Sequence, residues 1–184
     1  MTSPSDAVDV ILVDDEDRPV GLCDKLEAHR RGLLHRAVSV FAFTPDGHLL
    51  VQRRAPGKYH SGGLWSNSAC THPREGESLA DAARRSVREE LGADLTSLQY
   101  AFPFRYRADV GDGLVEHEYD HVFTGDIAGV VQPAAGEVDA VERVPINELV
   151  AAVSRDPEQY TPWFRLLVER VQDWRAANPH ASPA

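Results

Sequence analysis

Short apolar runs broken by acidic, glycine and proline turns fill the first part of the chain. Val10–Val13 is apolar and ends in the acidic turn Asp14-Asp15-Glu16-Asp17, which predicts a strand. Asp24 is placed to cap a short helix from Leu26 to Arg30, which Gly32 stops. His35–Thr44 is rich in β-branched and aromatic residues and runs into the turn sequence Pro45-Asp46-Gly47. Leu49–Arg53 is therefore expected to return as the second arm of a hairpin. Ala55–Gly63 reads as a loop punctuated by glycine and proline. Leu64–His72 reads as extended, because Pro73 disfavours a helical conformation at His72.

The clearest helix runs from Ser78 to Leu91. Leu79, Ala82, Ala83, Val87 and Leu91 share one face, charge fills the other, and Gly92 supplies the stop. Tyr100–Arg107 and Leu114–Thr124 are expected as strands around the turn Gly111-Asp112-Gly113. Pro145 and Asn147 precede an expected helix at Glu148–Ser154. Pro162 opens a last helix in which Trp163, Leu166, Leu167, Val168, Val171 and Trp174 are apolar. Strands first, a helix in the middle and helices last predict an α/β (α+β) protein, a mixed β-sheet sandwiched between helices. The expected organisation is one domain over 9–176 with flexible tails at 1–8 and 177–184.

Length and charge narrow the function. The chain has 184 residues, the size of a single domain that buries about 70% of its unfolded surface. No apolar run approaches the roughly 20 residues of a membrane helix, and the first ten residues lack the basic start and apolar segment of a secretory signal. Two cysteines, Cys23 and Cys70, are too few for a disulfide scaffold, so a reduced cytoplasmic setting is expected. The net charge of −10 argues against a nucleic-acid partner. Lys25 and Lys58 are the only lysines, and basic residues cluster at Arg53, Arg54 and Lys58 and again at Arg84, Arg85 and Arg88. Local cationic clusters in an acidic chain suit a small anionic ligand. A monomer is expected, since the apolar positions can be spent on one core.

Three features carry chemistry. In Ser66-Asn67-Ser68-Ala69-Cys70-Thr71-His72-Pro73, an extended backbone points Cys70 and His72 to the same side. They could be a nucleophile pair, two metal ligands, or a ligand beside a catalytic thiol; a lone cysteine can equally be a small buried hydrophobe. Glu116 and Glu118 share a strand face within VEHEYDHVF, and inside a cavity such a pair needs a metal, a basic group or a shared proton. His29 and His35 flank a turn and can converge on one ion. Together His29, His35, His72, Glu116 and Glu118 form a nitrogen/oxygen set suited to Zn²⁺, Mn²⁺ or Fe²⁺.

Thr71, Glu77, Arg85, Val87, Glu89, Glu90 and Gly92 fit most of the Nudix spacing Gly-x5-Glu-x7-Arg-Glu-U-x-Glu-Glu-x-Gly. Thr71 stands in place of the first glycine and Ser86 in place of the glutamate after the arginine. Glutamates at such a helix end can hold Mg²⁺ against a diphosphate; the missing acid counts against hydrolysis. Taken with KLEAHRRGLLHRAVSVF, RRAPGKYHSGGLWSNSACTHP, FRYRA, VEHEYDHVF and TPWF, the chain resembles type I isopentenyl diphosphate isomerase, a family built on the Nudix fold. The resemblance runs from about Val10 to Trp174.

The resemblance implies isomerisation of isopentenyl diphosphate to dimethylallyl diphosphate by protonation and deprotonation. It places Cys70, Glu118 and Tyr106 in catalysis, and His29, His35, His72, Glu116 and Glu118 on a divalent metal (Mn²⁺, Zn²⁺ or Mg²⁺). It also places Glu90 and the carbonyl of Cys70 on Mg²⁺ carried by the substrate diphosphate. Lys25, Arg54, Lys58 and Arg85 are implied as diphosphate contacts, and Trp163 as the aromatic face towards the isoprenoid carbons. The implied partner is this small molecule, with no nucleic acid and no membrane. Two other readings stay open: a Nudix hydrolase cleaving a diphosphate linkage, and a metal-binding module without catalysis.

Overall fold

The structure, a computed structural model, describes residues 9–179. Strands β1 (Asp9–Val13) and β2 (Pro19–Asp24) lead into helix α1 (Lys25–Arg31). Then come β3 (His35–Phe43), β4 (Leu49–Arg54), the short β5 (Trp65–Ser66) and β6 (Ala69–Thr71), and helix α2 (Leu79–Leu91). The long strands β7 (Leu95–Gly111) and β8 (Leu114–Ile127) form a hairpin, and β9 (Val138–Val144) precedes α3 (Ile146–Arg155) and α4 (Pro162–Ala177). The expected tails at 1–8 and over 180–184 lie outside the described residues. Among the described residues, no helix is long and apolar enough to cross a membrane.

The local signals were sound where capping is local. Asp24 accepts from Glu27 N–H and Gly32 closes α1 in the left-handed region, while Ser78 accepts from Asp81 N–H at the start of α2. Gly92 ends α2 at φ 60°, and a Cβ there would lie 2.6 Å from Gln132 O, so both backbone and space require glycine.

The sheet departs from the expected hairpins in three ways. β3 and β4 meet at Phe43–Leu49 and then diverge, because β4 pairs antiparallel with β9 and β5. The strand β2 was not anticipated: its residues are mostly exposed, so no apolar alternation marks it. β9 and the first five residues of β7 were missed as well, being short or interrupted by polar positions. In addition, Asn147 lies inside α3 rather than before it.

β3 is the centre of the arrangement. It runs parallel to β8 from His35–Glu118 to Phe43–Asp126, and antiparallel to β6 through Ser39–Cys70. Strand alternation sends Val38, Val40 and Ala42 to one face and Phe41 and Phe43 to the other. On the first face, Ala82, Ala83, Val87 and Leu91 of α2 pack over β3 with Phe123 and Ile127. On the second, Leu149 and Val153 of α3 and Phe164, Leu167, Val168 and Val171 of α4 cover Phe41, Phe43, Leu49 and Val51. Helices therefore cover both faces of one mixed sheet, the expected fold class. Fully burying each of these larger side chains contributes about 1.5–3 kcal/mol, which holds β6, β3, β8 and β7 rigidly side by side.

Candidate active site

A cavity of about 480 Å³ opens over the N-terminal end of β3. His60 and His72 line it, and two further histidines lie buried behind His72. The α1 cap and the Gly32 turn bring His29 and His35 together, both fully buried, with ring centroids 5.0 Å apart. In each ring Nδ1 is occupied: that of His35 lies 2.8 Å from Leu33 O and that of His29 lies 2.8 Å from the Tyr59 hydroxyl. Each Nε2 is buried and has no hydrogen-bond partner. His72 Nε2 lies 3.1 Å from Glu118 Oε1, and His35 Nε2 lies 3.6 Å from the same oxygen. His29, His35, His72 and Glu118 each offer one ligand atom, all within 4.8 Å of one another.

Electrostatics favours a cation at this point. Burial lowers His29 to about 3, helped by the charges of His72 and His35. Burial also lowers His72 to about 4 against the opposing hydrogen bond of Glu118. Both rings are therefore neutral at pH 7, the state in which an imidazole nitrogen can ligate. Burial alone would raise Glu118, but the nearby His35 imidazole and the hydrogen bond of His72 prevail and hold its carboxyl well below the usual carboxylate range. Three imidazoles and one carboxylate, with two nitrogens lacking a hydrogen-bond partner, fit a divalent transition metal or zinc.

Glu116, expected in the same ligand set, is not gathered into this group. Alternation along β8 puts it on the same face as Glu118, but its Oε1 lies 3.3 Å from His60 Nε2 and its Oε2 accepts from Tyr106 at 2.9 Å. Tyr106, the direct cross-strand partner of Glu118, also reaches Glu118 Oε2 at 2.7 Å. One phenolic proton serves one carboxylate at a time. Burial, then the charge of Glu118, push Glu116 well up. Burial and the two glutamates likewise push the Tyr106 hydroxyl well up.

Across β3 from this pair stands Cys70 on β6. The sheet order β6, β3, β8, β7 sets the thiol on one flank of the cavity and Glu118 with Tyr106 on the other. Burial raises the thiol well above its usual value, reinforced by Glu90 and Asp120. Glu90 accepts from Gln52 Nε2 at 2.6 Å and from the Cys70 N–H at 3.2 Å. Burial lifts it to about 7 against the pull of Gln52, Lys58 and Arg54.

Cations line the mouth. Arg54 lies with its guanidinium 5.3 Å from the Trp163 ring centroid, donates to His60 O at 3.3 Å, and keeps a buried Nε–H without a partner. Lys58 is ion-paired with Glu137, and Lys25 Nζ sits 5.2 Å from the Tyr59 ring. Arg85 lines the same cavity with its donors engaged by the protein. Its Nε and Nη2 clasp both Glu77 oxygens, and the remaining N–H groups reach Thr71 Oγ1, Glu89 and His72 O. All five donors are committed to the protein. At the variant position of the Nudix spacing, Ser86 is buried and donates to Ala83 O, so no acid projects there.

Sequence reasoning overlooked Tyr59, His60, Asn67 and Glu137. Tyr59 and His60 follow Lys58 directly, and an imidazole and a phenol next to a candidate anion site were a usable signal. Nothing local marked Glu137, which reaches the cavity only because β9 pairs with β4.

The NUDIX domain matches residues 33–166. A protein of Aromatoleum aromaticum named isopentenyl-diphosphate Delta-isomerase 2 is 50% identical, over 92% of this chain and 89% of its own. One of Burkholderia multivorans, named isopentenyl-diphosphate Delta-isomerase, is 45% identical, over 88% and 92%. In three dimensions, DR0079 from Deinococcus radiodurans superimposes with a TM-score of 0.71 at 20% identity, over 88% of this chain and 98% of its own. The MutT protein from Methanosarcina mazei Go1 gives 0.64 at 19% identity, over 79% and 95%. These distant likenesses concern the fold alone.

Proposed function

The chain belongs to the NUDIX family and, within it, to the isopentenyl-diphosphate Delta-isomerases, and from that premise we propose how its residues convert isopentenyl diphosphate to dimethylallyl diphosphate. The observation that supports the assignment best is the placement of Cys70 and of Glu118 with Tyr106 on opposite flanks of one cavity, across β3. The rearrangement adds one proton to the terminal alkene carbon and removes one from carbon two. Two proton-bearing flanks suit that balance, one delivering and one accepting, with no net change in protons.

An unactivated alkene is a weak base, so the donor must be held against it and the tertiary cation stabilised. Trp163 lines the same cavity and can attract that cation by about 2 kcal/mol when water is excluded. Arg54 and Lys58 hold the diphosphate, Lys58 by exchanging Glu137 for the anion, and Lys25 assists from the Tyr59 side. Arg85 braces the segment from β6 to α2 through Glu77, Thr71, Glu89 and His72 and faces the same cavity, where it can join Arg54 and Lys58 on the anion.

A divalent metal, Mn²⁺, Zn²⁺ or Mg²⁺, would be held by His29, His35, His72 and Glu118, with Glu116 one step outside that group, steadied by His60 and Tyr106. Such an ion supplies a fixed positive charge that sharpens the acidity of the groups around it. Glu90, raised to about 7, would serve, with the carbonyl of Cys70, a Mg²⁺ brought in by the diphosphate.

Proton NMR of the purified protein with isopentenyl diphosphate and Mg²⁺ in deuterium oxide tests the assignment. Dimethylallyl diphosphate with deuterium in a methyl group, lost in Cys70→Ala, is the expected result. Release of phosphate would point instead to a diphosphate hydrolase, and an unchanged spectrum with metal bound to a silent metal-binding module.

A further inference from the structure

Asn67 lies between β5 and β6, is fully buried and does not line the cavity. Its amide orientation is decided by two backbone acceptors: Nδ2 donates to Val40 O at 3.1 Å and to Ala69 O at 2.9 Å. Only the NH2 end of an amide can satisfy two carbonyls, so Oδ1 is fixed on the opposite side. Two groups that face the cavity donate to that oxygen, the Cys70 thiol at 3.1 Å and the Trp163 indole N–H at 3.1 Å. The Ser66 hydroxyl also approaches, at 3.0 Å, but has a second partner in Thr161 Oγ1 at the same distance. The thiol has one other neighbour, Ser39 Oγ at 3.6 Å, whose own proton goes to Asp120 Oδ2 at 2.7 Å.

We propose that Asn67 is a positioning residue of the isomerisation, a single buried acceptor that holds the Cys70 thiol and the Trp163 ring in one fixed relation. This rests on the assignment of Cys70 and Trp163 above. The thiol hangs from β6 and the indole from α4, elements that would otherwise adjust independently. One oxygen binding both keeps the proton-transferring sulfur and the cation-facing ring in register. Without it the thiol turns towards Ser39 and the indole N–H is left buried and unpaired, a costly state that reorients the ring.

The test uses the full chain with Cys23→Ser, so that the infrared S–H band reports Cys70 alone, together with the three indole N–H signals in ¹⁵N NMR. The Trp163 signal is assigned with Trp163→Phe. In the parent, the expected S–H band lies below the free-thiol frequency. In Asn67→Ala the band rises, the Trp163 signal moves upfield while those of Trp65 and Trp174 stay, and kcat falls about ten- to hundred-fold. The KM for isopentenyl diphosphate stays within about two-fold, as expected when ground-state binding is untouched. A free-thiol band in the parent, or a folded Asn67→Ala protein with unchanged kcat, would overturn the proposal. If Asn67→Ala fails to fold, the parent spectra decide alone. A parent that does not turn over isopentenyl diphosphate overturns the isomerase reading instead, and the S–H band still decides whether the tether exists.

Discussion

The two ends of the cavity are built on opposite plans. At the histidine end, two ring nitrogens, His29 Nε2 and His35 Nε2, are buried without a hydrogen-bond partner. At the cationic end, the charges are largely occupied by the protein itself: Lys58 by Glu137, Arg85 by Glu77 and Glu89. An orphaned buried nitrogen is costly, so the first end gains most by taking up a ligand. An ion-paired lysine has to exchange one partner for another, so the second end binds reversibly. A resident ion and a turning-over substrate ask for that contrast.

The largest expected break is at the histidine end. His35→Ala removes one of the four grouped atoms proposed to hold the ion, and we expect both metal uptake, measured by elemental analysis, and isomerase activity to be lost. A folded His35→Ala protein that keeps its metal would place the ion elsewhere.

Tyr59→Phe is gentler. It removes the hydroxyl on His29 Nδ1 while leaving every ligand in place, and outer hydrogen bonds of this kind are typically worth about 10–100-fold in metal affinity. Competition against a chelator reads that loss directly, and no loss would mean the ring is oriented by packing alone.

At the cationic end the sign reverses. Glu137→Gln removes the carboxylate competing for Lys58, so inorganic pyrophosphate should bind a few-fold more tightly by calorimetry, roughly the 1 kcal/mol scale of an ion pair near the surface. Weaker binding would mean Glu137 helps to shape the anion site rather than screening it.

The smallest effect concerns stability. The Arg85 hydrogen bonds hold Glu77 below its ordinary value of 4.5. A depressed carboxylate binds more protons unfolded than folded, so its contribution is present above about pH 4.5 and is lost as pH falls through the folded value. Glu77→Gln should lower the denaturation midpoint by the equivalent of about 1 kcal/mol at pH 7, with the difference shrinking under acid. A difference that persists undiminished at low pH would assign the effect to packing instead.

Much of the scaffold was legible because its causes are local. The caps Asp24 and Ser78, the stops Gly32 and Gly92, and the apolar face of α2 all act within a turn or two of chain. The strands β2 and β9 were not, since an exposed edge and a mixed short strand carry no alternation; pairing alone defines them. The site divides in the same way. Cys70 and His72, or Glu116 and Glu118, advertise a shared face by their spacing of two, while Glu118 with three histidines from α1, β3 and the end of β6 is a product of β3 lying between its neighbours.

Residue types, caps and the period of two along β8 were therefore settled by the sequence itself, because they depend on covalent geometry and nearest neighbours. That Glu116 turns to His60 and Tyr106, that Arg85 is consumed by Glu77, and that one asparagine receives both thiol and indole were decided only by the tertiary structure. A side chain's role there depends on which distant groups burial forces it to satisfy, and no local pattern records that.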